Sequence, residues 1–253
     1  MTVGLVGAGN MARALARGWA EPILCTDGGS GRAAALADEV GGEALGSNAE
    51  LARRADVVVL AHKPAQLESV AAGIAGAAAG KLVVSLLARV PRSAVAAAYP
   101  GSTVMRVQPN LAVERRCGVS ALGFSEGDVA SELAQTAQDL FARLGTVVVV
   151  SDHLLDVASA CSGVGPAYWA LVVEAQVDAA VRSGLTPAQA STLVGETMAG
   201  TAQLLRDRDW DTLAVRREVA SPGGTTARGL AALERGGVRA AFSAAIDDVL
   251  EPR

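Results

Sequence analysis

The sequence predicts an α/β chain of 253 residues, a helix-wrapped parallel sheet over residues 1–151 followed by an all-α domain over residues 152–253. Three observations predict it. Short β-branched runs alternate with alanine-rich stretches up to Val150, the pattern of a sheet with crossover helices. A glycine turn follows the first run directly. After Ser151 no strong strand run recurs, and long helical patterns take over. Apolar residues make up 51% of the chain, ample for a sizeable core.

Val3–Val6 is the first expected strand. Gly7, Gly9 and Ala12 then match G-x-G-x-x-A ahead of a helical pattern. In a Rossmann-type turn the first glycine makes the bend and the second admits a pyrophosphate. The small third residue lets helix and strand approach, and the helix start attracts the phosphates. The second strand, Ile23–Thr26, ends at Asp27, where an acidic side chain takes ribose hydroxyls and favours NAD(H). The GGSGR that follows offers Ser30 and Arg32 to a 2′-phosphate instead, with Asp27 capping the next helix. NADP(H) is therefore the leading cofactor and NAD(H) the alternative. Asn48 stands before the third strand as helix cap or cofactor ligand.

The remaining strands are Val57–Ala61, Leu82–Ser85, Thr103–Val107, Val119–Leu122 and Thr146–Val150. Their near-continuous apolar runs predict strands covered on both faces. In the second half, Ala167–Ser183 and Thr186–Leu205 read as helices. Gly184 stops the first, and Thr186, Pro187 and Gln189 form a capping box for the second.

A net charge of −4 leaves no broad basic field, so a small-molecule ligand is expected rather than nucleic acid. Cys25, Cys117 and Cys161 are scattered, without a C-x-x-C pair, and predict neither a disulfide framework nor a metal site. Apolar windows are too short for a membrane span. The chain starts on a strand pattern rather than a signal peptide, which makes the cytoplasm the expected compartment.

Residues 221–226 read SPGGTT. Pro222 fixes the backbone, Gly223 and Gly224 allow close approach, and Thr225 and Thr226 open an apolar helix. Exposed amides at such a start attract a carboxylate, although the same six residues also make an ordinary loop and cap. Glu174 and Asp178 share a helix face as a carboxylate pair, with interface polarity the simpler reading. His62 and Lys63 stand at a strand end, where positioning is a simpler role than chemistry.

GAGNMA at the start, AHKP, RVQPN, SGVGPAY and SPGGTT together resemble the pyrroline-5-carboxylate reductases over nearly the whole chain. The resemblance implies an NAD(P)H-dependent reduction of the cyclic imine 1-pyrroline-5-carboxylate to proline. It implies a Rossmann domain followed by an all-α dimerisation domain, and a homodimer with a higher oligomer left open. It implies cofactor contacts at Gly7, Gly9, Asn10, Met11, Asn48, Ala61, His62, Lys63, Pro64 and Asn110. Ser159 is the implied hydroxyl for binding the imine or donating its proton. Ser221 to Thr226, through backbone and the Thr226 side chain, would hold the substrate carboxylate where two subunits meet. The chain departs from the family pattern at Gln108, Leu111, Ala112, Val164, Ala220, Gly28 and Arg89. These departures leave open a reductase of a related cyclic imino acid, or a silent nucleotide-binding paralogue.

Overall fold

The computed structural model describes residues 1–124 and 132–251. Residues 125–131, and 252 and 253, which fall within the two expected domains, lie outside the description. The chain forms two compact units, Met1–Pro166 and Ala167–Arg253.

The first unit runs β1 (Val3–Val6), α1 (Asn10–Trp19), β2 (Leu24–Thr26), α2 (Arg32–Val40), β3 (Glu43–Ala44), α3 (Asn48–Arg54) and β4 (Val57–Leu60). It continues with α4 (Leu67–Ala78), β5 (Leu82–Ser85), α5 (Arg92–Ala98), β6 (Thr103–Pro109), β7 (Gly118–Phe124), α6 (Glu132–Ala142), β8 (Gly145–Ser151) and α7 (Leu155–Ala158). The strands form one sheet in the order β3-β2-β1-β4-β5-β6-β7-β8. Every residue of β1, β4 and β5 is buried, as their near-continuous apolar runs require, with Ser85 the one polar side chain among them. Leu5, Val59, Val84 and Val107 pack toward Leu15, Trp19, Leu140 and Phe141 of α1 and α6. Val58, Leu60, Val83 and Val104 face Leu51, Ile74 and Val95 of α3 to α5. Burying each such aliphatic side chain contributes roughly 1.5–3 kcal/mol.

Polar fastenings complete the packing. Trp19 Nε1 donates to the Leu140 carbonyl at 2.9 Å, and its ring meets Phe141 edge-on at 6.0 Å. Lys81 Nζ donates to the carbonyls of Ala52, Arg53 and Ala55 at 2.7, 3.0 and 2.7 Å. It thereby closes the end of α3, where unpaired carbonyls favour a cation.

Three features differ from the sequence expectation. The short strand β3 was not expected, because its two exposed residues carry no apolar signal. The sheet is mixed rather than wholly parallel: β6 and β7 pair antiparallel, and β8 runs parallel to β7. The link between β6 and β7 holds only a 3₁₀ turn, Leu111–Arg115, and a parallel return needs a crossover of a dozen or more residues. Finally, β8 is not covered on both faces. Val148 and Val149 are 43% and 44% exposed, because β8 is the last strand of the sheet.

The second unit is all helix: the greater part of α8 (Gly165–Arg182), then α9 (Pro187–Arg206), α10 (Thr212–Val219), α11 (Thr225–Arg235) and α12 (Val238–Leu250). The expected capping box opens α9, with Thr186 Oγ1 accepting from the Gln189 amide at 3.3 Å and Gln189 Oε1 accepting from the Thr186 amide at 3.0 Å. Trp169 and Phe242 meet at 6.3 Å between ring centres. Among the described residues of this unit Ala190 alone is buried, while Trp169, Leu171 and Leu193 are 56%, 63% and 57% exposed.

Candidate active site

The carboxyl ends of β1, β2, β4 and β6 carry the predicted nucleotide residues of the first unit. Gly7 leaves β1 at φ +112°, and a Cβ built there would stand 2.7 Å from the Ala61 carbonyl oxygen and 2.9 Å from the His62 nitrogen. The turn thus fits against the end of β4 only because residue 7 has no side chain. Gly9 is the cap of α1 and makes no side-chain hydrogen bond, and a Cβ built on it meets nothing within 4 Å. Open amides at the start of a helix, facing empty space, suit a pyrophosphate. Asn10 is exposed at the first helical position and Met11 is half-buried against the core.

Asp27 turns inward on its own loop. Its carboxylate accepts from the Gly29 amide at 2.8 Å, the Ser30 hydroxyl at 2.9 Å and the Ala33 amide at 2.9 Å. Hydrogen bonds, that from Ala33 foremost, hold its carboxyl down at about 2. The Ser30 hydroxyl is therefore committed to Asp27. The Arg32 side chain is exposed and makes no hydrogen bond or ion pair among the described residues. Ser47, not Asn48, caps α3, accepting from the Glu50 amide at 3.2 Å. Asn48 occupies the first turn with its amide uncommitted, so of its two expected roles the cap falls to its neighbour.

At the end of β4, His62 Nδ1 donates to the Lys63 carbonyl at 2.9 Å. The neutral ring then presents Nε2 as an acceptor, and that atom is covered and has no partner. Burial lowers the His62 pKa, which favours this neutral form. Lys63 and Pro64 are exposed, and Gln66 Oε1 accepts from the Lys63 amide at 3.1 Å, fixing the chain as it leaves the strand. Asn110 is 9% exposed. Its amide nitrogen donates to the Val119 carbonyl at 3.0 Å, and its Oδ1 accepts from the Val119 amide at 3.2 Å. The side-chain NH₂ is left without a bond among the described residues. An orphaned ring nitrogen, an uncommitted amide and a glycine cradle fit the nicotinamide and pyrophosphate of a dinucleotide.

Ser159 begins a π-helical turn, Ser159–Gly163, that follows α7. Such turns widen a helix and recur where function needs a side chain re-aimed. The Ser162 hydroxyl donates back to the Ala158 carbonyl at 2.9 Å, whereas Ser159 makes no side-chain hydrogen bond among the described residues. Gln108, read from the sequence only as a departure from the family pattern and not as a site residue, is 8% exposed with its Nε2 unpaired. A polar amide directly after Val107 of β6 and two positions before Asn110 is the signal that could have found it.

In the second unit, Gly224 donates to the Ser221 carbonyl at 3.0 Å across Pro222 and Gly223, with Gly223 at φ +70°. This is the turn that proline followed by glycine favours. Gly224 caps α11 without a side-chain hydrogen bond, which leaves the first amides of an 11-residue helix open beside the Thr226 side chain. Ser221, Gly223 and Thr225 are exposed. Glu174 and Asp178 are exposed too. Burial pushes the Cys25 thiol up to about 11, which leaves it protonated and inert. Among the described residues no three His, Cys, Asp or Glu side chains gather as a metal site, and no helix is long and apolar enough to cross a membrane.

The sheet, the glycine turn and the helical unit define a two-domain oxidoreductase scaffold built around a dinucleotide fold. Residues 152–252 match the family described as pyrroline-5-carboxylate reductase dimerisation, and residues 2–89 match NADP oxidoreductase, coenzyme F420-dependent. The pyrroline-5-carboxylate reductase of Thermus thermophilus is 37% identical, across 98% of this chain and 95% of its own. That of Synechocystis is 37% identical, across 79% of this chain and 74% of its own. The chain belongs to the pyrroline-5-carboxylate reductase family. The crystal structure of Plasmodium falciparum pyrroline carboxylate reductase with NADP bound superposes with a TM-score of 0.88 at 27% identity, covering 98% of this chain and 95% of that one.

Proposed function

We propose that this chain is an NADPH-dependent reductase of 1-pyrroline-5-carboxylate, a homodimer of the cytoplasm that forms proline. The observation that carries the reading is a pair of uncapped helix starts, at Gly9 and at Gly224, each introduced by a glycine with positive φ, Gly7 and Gly223. One suits a pyrophosphate and the other a carboxylate. The bound nicotinamide supplies hydride to the imine carbon, which becomes electrophilic once its nitrogen is protonated.

The chain's own residues bind and orient. Gly7, Gly9, Asn10 and Met11 hold the pyrophosphate; Ala61, His62, Lys63, Pro64 and Asn110 line the nicotinamide half, with Asn48 toward the ribose. The amides after Gly224, with Ser221, Thr225 and the Thr226 hydroxyl, hold the substrate carboxylate. Ser159 keeps its hydroxyl free of backbone bonds and hydrogen-bonds the imine nitrogen. Such placement is the main requirement of a reaction whose electrophile is already activated. NADPH is favoured over NADH because three donors already engage Asp27, while Arg32 stands free for a 2′-phosphate. Dimerisation through the helical domain, residues 152–253, belongs to the same proposal, as does a cytoplasmic setting for the free thiols Cys25, Cys117 and Cys161.

A second reading, a reductase of another cyclic imino acid, is favoured by the unpaired Gln108 amide and by Leu111, 49% exposed directly after Asn110. The test is oxidation of NADPH and NADH in parallel with pyrroline-5-carboxylate and with its six-membered homologue. Turnover of the five-membered ring with NADPH is expected. Turnover of the larger ring alone would select the second reading, and none with either ring would end both.

A further inference from the structure

Arg106 lies on β6, opposite Ser85 of β5 and Gly123 of β7, and is 3% exposed. Its NH2 donates to Asp156 Oδ1 at 2.8 Å, and its NH1 faces the Asp152 carbonyl at 3.4 Å and both Asp152 carboxylate oxygens at 3.5 Å. Asp152 and Asp156 flank Leu155, which is fully buried. A Cβ built at Gly123 would stand 2.8 Å from Asp152 Oδ1 and 3.2 Å from Leu155 Cδ2. The strand position beside Arg106 is therefore bare where this segment comes down onto the sheet.

The segment so pinned runs straight into the π turn at Ser159. That turn is closed by the Val164 amide donating to the Ser159 carbonyl at 3.3 Å. A Cβ at Gly163 would stand 2.9 Å from Ser159 Oγ, so the absence of a side chain there keeps the hydroxyl clear. Arg106 is a costly way to fill a core position. Its Nε is buried without a partner, and apolar residues of similar volume often serve stability as well as a buried ion pair or better. What the guanidinium adds is a rigid two-pronged fork that fixes two carboxylates one helical turn apart.

We propose that Arg106 is a positioning residue for imine reduction: through Asp152 and Asp156 it fixes the π turn so that Ser159 presents its hydroxyl in one orientation. The inference rests on the role proposed above for Ser159. It is tested on the full-length enzyme by a double-mutant cycle of Arg106→Met and Ser159→Ala, with kcat, KM and NADPH affinity measured separately. Ser159→Ala is expected to lower kcat. Arg106→Met should lower kcat about 10- to 100-fold, the scale of misplacing a reacting group by an ångström. NADPH affinity should stay within about twofold in both, within the scatter of unrelated surface changes.

Arg106→Lys should recover part of the rate, and Arg106→Met should cost little more once Ser159 is gone. If Arg106→Met does not fold, Asp156→Asn replaces it in the cycle, since that side chain is 47% exposed. An impaired Ser159→Ala whose effect multiplies in full with that of Arg106→Met would overturn the positioning role alone. So would wild-type kcat in the Arg106 variants. Wild-type kcat in Ser159→Ala would overturn the Ser159 assignment and this inference together.

Discussion

Alanine at Gly7 and alanine at Gly9 should fail in opposite ways. At Gly7 the backbone holds φ +112°, where an L side chain is strained by roughly 1–2 kcal/mol. The new Cβ would also meet the Ala61 carbonyl oxygen at 2.7 Å, a backbone atom that cannot step aside alone. Gly7→Ala should therefore lose about 2 kcal/mol or more of stability. At Gly9 the backbone is ordinary, φ −79° and ψ −176°, and the new methyl meets nothing. A slightly poorer helix cap is offset by a less flexible unfolded chain, so stability should move by less than about 1 kcal/mol.

The same methyl occupies the space assigned to the pyrophosphate. Losing one charge-assisted hydrogen bond, about 1.5–3 kcal/mol, weakens NADPH binding about 10- to 100-fold. Thermal unfolding and NADPH fluorescence titration on both variants check the pair. A Gly9→Ala protein that binds NADPH at wild-type affinity would falsify the assignment of this helix start to the phosphates. A Gly9→Ala protein that melts as early as Gly7→Ala would refute the geometry.

Two further outcomes are expected. Thr226→Ala should raise the imine KM about tenfold, the value of one modest hydrogen bond to a charged group, with NADPH affinity unchanged in a fluorescence titration; an unaltered KM would return the 221–226 turn to a plain helix start. Asp27 has a folded pKa of about 2, below the usual Asp value of about 3.9, so its contribution to stability is complete above about pH 4 and is lost as pH falls toward 2. Asp27→Asn should be less stable at pH 7 by about 1 kcal/mol, the value of a lost cap, and its unfolding curves should change less than the wild type's across that acid window; parallel slopes would contradict the loop geometry.

The elements most legible in the sequence were those whose residues speak for themselves. Val3–Val6, Val57–Leu60 and residues 82–84 are apolar throughout because helices cover both faces, and the turn of Gly7 and Gly9 follows from backbone sterics alone. The capping box at Thr186 and Gln189 is equally local. What depends on partners distant in sequence was hidden. The reversal at β7 is set by the short Leu111–Arg115 connection, and no residue within Val119–Leu122 reports its direction. β8 reads as a buried run, yet its place at the edge of the sheet exposes Val148 and Val149. The choice of Ser47 over Asn48 as cap is a shift of one position between two residues equally suited to it. Arg106 looks like a charge interrupting a strand until folding brings Asp156 to it across 50 residues. At Arg89 the left-handed backbone, φ 60°, accounts for the glycine usual in the family.

Among its described residues the helical unit buries one small alanine and leaves tryptophan and leucine side chains open. A chain pays conformational entropy for every residue it orders, and this unit recovers little of it from its own interior. In the homodimer proposed above, folding of this unit and association of the two subunits are therefore expected to be one molecular event rather than two. Its stability should then depend on subunit concentration, with dilution acting on it as a denaturant does on an ordinary monomer.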